Sequence, residues 1–126
     1  MDWKIELIFV PVSDVDRAKE FYVEKLGFNA DHDQRVSEDL RFVQLTPPGS
    51  ACSIAIGEGL GGTLEPGQQD SIQVVIDDAD AVLADLRAKG VDAEGVDEQA
   101  WGRFVTVTDP DGNRWTLQQL PDYSAA

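Results

Sequence analysis

Residues 4–12 (KIELIFVPV) are apolar and rich in branched side chains, and Ser13-Asp14 ends the run. The pattern predicts a strand feeding a helix. Ser13 or Asp14 would cap the first-turn amides, with Asp16 near the positive end of the helix dipole. Val15, Ala18, Phe21, Tyr22 and Leu26 then recur at helical spacing, and Gly27 is the expected stop. Strand candidates follow at about 28–35, 40–46 and 51–57, separated by turns at Asp33–Asp39 and Thr46–Ser50.

A Gly- and Pro-rich stretch over 58–70 reads as a linker. The order then repeats over 71–120. Ser71–Ile76 is a strand candidate and Asp77-Asp78 a helix start. Ala79, Val82, Leu83 and Leu86 form a helical stripe, and Gly90 is a stop. Val91–Val96, Arg103–Thr108 and Asn113–Gln119 are further strands. Asp14 matches Asp78, Asp16 matches Asp80, Leu26-Gly27 matches Lys89-Gly90, and Arg41-Phe42-Val43 matches Arg103-Phe104-Val105. Matches in one order at nearly one offset point to an internal duplication. The expected fold is α+β: a single domain over 1–126 made of two βαβββ repeats, 4–57 and 71–120. Each repeat is too small to bury its own sheet. A helix covers one sheet face and leaves the other free, so the two free faces predict a cupped mixed sheet around a cleft, where a site belongs.

Charge narrows the partners. The chain has 126 residues and a formal net charge of −14, which repels nucleic acid and anionic membrane alike. The field would favour a cationic ligand, though salt screens most of it. The apolar stretch Leu7–Val12 is too short to span a bilayer, and no basic-then-apolar leader opens the sequence, so a cytoplasmic protein is expected. Cys52 is the sole cysteine. It permits no intrachain disulfide or multi-thiolate metal site, and reads as a buried packing residue in the strand at 51–57.

Three motifs remain: Val12-Ser13-Asp14-Val15-Asp16-Arg17-Ala18-Lys19-Glu20-Phe21-Tyr22 with Leu26-Gly27-Phe28, Trp101-Gly102, and Asp109-Pro110-Asp111-Gly112-Asn113. By their own chemistry they are structural: a helix start, residues that fix the helix to a sheet, and a hairpin turn. Together with the duplicated βαβββ order, they make the chain resemble the vicinal oxygen chelate superfamily over about 4–120. That superfamily includes glyoxalase I, bleomycin-resistance proteins and extradiol dioxygenases.

The resemblance implies one divalent metal held by His, Glu or Gln from cleft-facing strands. The positions that it marks are Leu7, Ser53, Ser71 and Thr116. Leucine offers no lone pair, and neutral hydroxyls are poor ligands beside imidazole and carboxylate. No metal or other cofactor is therefore expected. His32 is the sole histidine, so no two-His triad can form within the chain. It sits near an expected turn and reads as a solvated residue. A one-residue shift would bring in Glu6 or Asp70, but on the opposite sheet face.

Parity extends the cleft. Phe9 goes with Leu7, Ala51 and Ala55 with Ser53, Gln73 with Ser71, and Arg114 and Gln118 with Thr116. Trp101 would stack on a planar ligand or act as a lid. The expected ligand-binding set is thus Leu7, Phe9, Ser53, Ser71, Gln73, Trp101, Arg114, Thr116 and Gln118, with no catalytic residue assigned. Apolar walls with hydroxyl and amide groups suit a small hydrophobic or aromatic molecule, and the bleomycin-resistance branch implies sequestration or resistance. The alternative is a metal-dependent lyase, isomerase or dioxygenase of the glyoxalase type, with an unconventional site using Glu6, His32 or a partner chain. A regulatory or structural domain without a natural ligand is the third reading. A homodimer with an apolar interface is expected, since small half-domains leave sheet edges and faces open.

Overall fold

The structure, a computed structural model, describes residues 1–122. Strand β1 (Leu7–Phe9) leads to helix α1 (Val15–Glu20), which widens into a π-helical stretch over Phe21–Lys25. Strands β2 (Asn29–Ser37), β3 (Leu40–Thr46) and β4 (Ser53–Glu58) complete the first repeat. The second contains β5 (Ile72–Ile76), α2 (Ala79–Ala88), β6 (Asp92–Gln99), β7 (Gly102–Thr108) and β8 (Arg114–Gln119). The strands form two four-stranded sheets in the orders β1-β4-β3-β2 and β5-β8-β7-β6. Each is mixed: β1–β4 and β5–β8 run parallel and the other pairs antiparallel. Among the described residues no helix is long and apolar enough to cross a membrane.

Several boundaries depart from the sequence expectation. Strand β1 is shorter than 4–12: it begins at Leu7, the first residue paired with β4, and it ends before Pro11, which has no N–H to continue a ladder. Strands β2 and β6 run to Ser37 and Gln99, and the expected turn at Asp33–Asp39 shrinks to Glu38-Asp39. The polar run Asp33–Asp39 reads as a turn, yet an edge strand needs no apolar side chains to keep its ladder. Cys52 precedes β4 and is half-buried rather than buried, with its thiol near the Ser53 carbonyl.

The matched residues of the two repeats form one device used twice. Asp14 and Asp78 cap their helices, accepting from the Arg17 and Ala81 amides at 3.0 and 3.1 Å. Arg41 reaches from β3 to Asp16 at 3.0 Å, and Arg103 from β7 to Asp80 at 2.8 Å. Each arginine also holds a carboxylate on the neighbouring edge strand, Asp33 or Glu98. The hydrogen bonds from Arg41, then Lys19, hold the Asp33 carboxyl well below the usual carboxylate range, and Arg103 lowers Asp80 in the same way. Gly27 and Gly90 end the two helical segments at the same φ of +78°, a left-handed conformation that a Cβ would disfavour.

The covered faces of both sheets share one core. It runs from Val10, Val15, Val43, Leu45, Ile54 and Ile56 to Ile72, Leu83, Leu86, Val105, Val107 and Trp115. Neither repeat closes alone, as their size requires.

Candidate functional site: two free sheet faces and a seam

Alternation assigns the free faces. In β3, Val43 and Leu45 are buried in the core, so Phe42, Gln44 and Thr46 point away from it. Trp115 and Leu117 in β8 do the same for Arg114, Thr116 and Gln118. The registers then define one row across each sheet. The first is Phe9, Ala55, Gln44 and His32. The second is Gln73, Thr116, Thr106 and Glu94.

These rows correct the repeat arithmetic. The first-repeat counterpart of Thr116 is Ala55 rather than Ser53, and the strand neighbour of Thr116 is Gln73. Leu7 lies beside Ser53 in the first sheet, while Ser71 precedes β5. Of the four positions that the family pattern marks, Leu7 and Ser53 thus share a row of the first sheet, Thr116 lies in the second sheet, and Ser71 lies outside the strands. The donor set does not fit a divalent metal. Leu7, Phe9 and Ala55 have nothing to donate, and Ser53, Thr116, Gln44 and Gln73 are neutral. His32 and Glu94 stand on the outermost strands of separate sheets. Among the described residues no three His, Cys, Asp or Glu side chains gather to hold an ion.

The polar groups of the faces are tied to one another. In the first sheet Gln44 Nε2 donates to Ser53 Oγ at 3.3 Å, Ser53 Oγ meets Thr46 Oγ1 at 2.6 Å, and Thr46 donates to the Asp31 carboxylate. In the second, Gln73 Nε2 donates to Gln118 Oε1 at 2.7 Å, and Gln118 Nε2 to the Trp101 carbonyl at 2.9 Å. Trp101 sits at the β6–β7 turn with its ring 60% exposed. Ser71 turns its hydroxyl to Gln69, and Arg114 stands exposed at the start of β8. Val75 is 62% exposed, so the second face is open, whereas on the first Phe9 is 51% exposed but Ser53 and Ala55 are buried, with the linker close to Phe9 and Ala55. Sequence parity reached Gln73, Thr116 and Gln118 but missed Gln44, Thr46 and Glu94. The buried alternation of Val43 and Leu45 carries the signal for the first two.

Between the repeats runs a seam with two unlike ends. At one end Asp109 is buried. It accepts from Tyr22 Oη at 2.7 Å, Asn113 Nδ2 at 2.8 Å and the Asp111 and Asn113 amides, both at 2.9 Å. Trp115 Nε1 donates to the same Tyr22 oxygen at 3.0 Å, and Asn113 Nδ2 also reaches the Pro11 carbonyl at 2.8 Å. Burial, and then the nearby Asp109 carboxylate, push the Tyr22 phenol up, so it stays protonated as a donor. At the other end lies a groove of about 530 Å³, lined by Phe28, Pro47, Val74, Val82, Leu86 and Trp115, with Lys25, Asp85 and Lys89 at its rim. Of the nine expected cleft residues only Gln73 borders it. A smaller cavity of about 280 Å³ lies between Phe9, Ala55 and the linker.

Comparison with known proteins agrees with this architecture. The family model described as Glyoxalase/Bleomycin resistance protein/Dioxygenase superfamily matches residues 4–117. TnmS3, an antibiotic binding protein from Streptomyces sp. CB03234, is 36% identical with a TM-score of 0.87, covering 95% of this chain and 98% of its own. A glyoxalase/bleomycin resistance protein from the same strain is 37% identical with a TM-score of 0.81, covering 92% and 100%. Protein YetH of Bacillus subtilis (strain 168), itself uncharacterized, is 26% identical over 92% of this chain and 98% of its own length.

Proposed function

The chain belongs to the glyoxalase/bleomycin resistance protein/dioxygenase superfamily, and from that premise we propose that it binds a small hydrophobic or aromatic molecule on its free sheet faces, without a metal. The observation that carries this reading is the composition of the two rows. They pair the exposed ring of Phe9 with neutral amides and hydroxyls (Gln44, Gln73, Thr106, Thr116). Such a surface can hold an uncharged organic body and orient its polar groups, but offers no Lewis acid. Trp101 supplies a flat ring at the margin for stacking. The antibiotic binding relative supports a binding role, and sequestration of a toxic small molecule is the activity proposed.

A homodimer completes the site in this reading. The chain exposes 7867 Å², against about 6,600 Å² for a compact monomer of its mass. The excess exceeds the roughly 800 Å² that each partner buries in a standard interface. Strands β1 and β5 are both sheet edges, and carry the exposed Phe9 and Val75. Pairing of such edges would bring two free faces together.

Calorimetry with 1-naphthol on chelator-treated protein tests the proposal. Saturable binding is expected without added metal, with loss of most affinity in Thr116→Trp and Phe9→Arg. Binding that appears only with added Ni²⁺ or Zn²⁺, or survives both substitutions, would overturn it. Sedimentation showing only a monomer at micromolar concentration would remove the dimeric site.

A further inference from the structure

The groove at the open end of the seam is a different place with different chemistry. Duplication explains why it exists. Its twin is filled by the Asp109 turn, whose carboxylate meets the Tyr22 hydroxyl at 2.7 Å. In the other repeat the corresponding turn is Pro47-Pro48-Gly49-Ser50, and the corresponding helix residue is Leu86. Proline has no carboxylate to extend and leucine no hydroxyl to meet it. The turn stops short, leaving about 530 Å³ between it and α2, a volume in the range of small-molecule sites.

The rim carries a local excess of positive charge. Lys25 Nζ donates to the Lys89 carbonyl at 2.7 Å and Lys89 Nζ to the Lys25 carbonyl at 3.4 Å, so both ammonium groups stand at the helix ends beside the groove. Asp85 pairs with Lys89 at 3.0 Å. Lys25 has no carboxylate partner among the described residues, and an ammonium has more donors than one carbonyl uses. The net charge of −14 opposes an anion at long range, but salt screens charges beyond about 8 Å. At the mouth itself, two cations face one carboxylate.

We propose that this groove, which meets the second free face only along the edge strand at Gln73 and Val75, is a second binding site for a small carboxylate with a flat apolar body: the body lies between Val82, Leu86 and Phe28, and the carboxylate meets Lys25. Lys25 also caps the C-terminal end of α2, and that role alone would stabilise the helix without choosing between ligands. Discrimination between an acid and its alcohol is therefore the informative readout.

The test compares 2-naphthoate with 2-naphthalenemethanol by calorimetry, on the full chain and on three variants. One saturable naphthoate site per chain is expected, at least tenfold tighter than the alcohol in the same site. Lys25→Gln should erase that preference, Val82→Trp should abolish naphthoate binding by filling the groove, and Thr116→Trp should leave it within twofold. No saturable naphthoate binding, equal affinity for acid and alcohol, or binding that survives Val82→Trp would overturn the proposal. So would loss of naphthoate binding in Thr116→Trp, which would place the ligand on the sheet face. A change in sedimentation with Val82→Trp would overturn it too, since the groove would then seat a second copy of the chain.

Discussion

The two ends of the seam occupy equivalent positions in a duplicated chain and have been filled in opposite ways. Around Asp109, a turn, a helix tyrosine and a strand tryptophan close on one another through buried hydrogen bonds. Around Pro47 the corresponding turn and helix positions carry groups that cannot hydrogen-bond across the gap, and the gap stays open. Equal backbones therefore do not give equal interfaces. A buried carboxylate with all its partners holds one arrangement, because leaving any partner unmet is expensive. Apolar contacts tolerate a void more cheaply, at a cost that grows with its volume. The lock fixes how the repeats sit together, and the other end of the seam is left able to vary.

The largest expected effect breaks the lock. Asp109→Ala strands the Tyr22 hydroxyl, the Asn113 amide and two backbone N–H groups in a buried site. It should lower stability by about 3 kcal/mol or more, read from the denaturation midpoint at unchanged slope. Tyr22→Phe removes one hydroxyl and leaves Trp115 Nε1 without its acceptor. A loss of roughly 1–3 kcal/mol is expected. Leu86→Tyr sharpens the contrast, because the groove has room for the ring. That substitution should change stability by less than about 1.5 kcal/mol, whereas a well-packed site would reject it.

The smallest effect concerns the clamp that the ends share. Arg41 lowers the Asp33 pKa, so this pair contributes stability above the unfolded carboxylate pKa near 4 and loses it as pH falls through the depressed folded value. Arg41→Met should cost at most about 1 kcal/mol at neutral pH. It should also flatten the acid limb of the stability profile between roughly pH 4 and 2. An unaltered acid limb would mean that the ion pair is not formed in solution.

The duplication and element order were legible because hydrophobic period and capping residues are local signals. Asp14 and Asp78, Gly27 and Gly90 each act on their own few residues. The matched Arg41 and Arg103 were visible as repeats, but their partners Asp16 and Asp80 became clear only when strand and helix stood side by side. Parity gave the free faces of β1 and β8, while the pairing across strands was out of reach. A repeat offset drifts wherever a turn changes length, and a drift of two residues keeps the face but moves the row. That is why Ser53 stood in for Ala55. The extension of β2 past Arg35 to Ser37 was hidden because this edge strand carries no apolar pattern. The groove was hidden because it arises from what Pro47 and Leu86 lack relative to the other repeat.

The proposal that the free faces hold a ligand without a metal is open to thermal unfolding with added Zn²⁺, Ni²⁺ or Mn²⁺. A micromolar site at a hundredfold excess of ion over its Kd would add about 2.7 kcal/mol, a rise on the order of ten degrees for a chain of this size. No rise in Tm is expected with any of the three ions, in the wild-type chain or in His32→Ala and Glu6→Ala. A rise of that size, with one ion bound per chain and lost on substitution of His32 or Glu6, would contradict it.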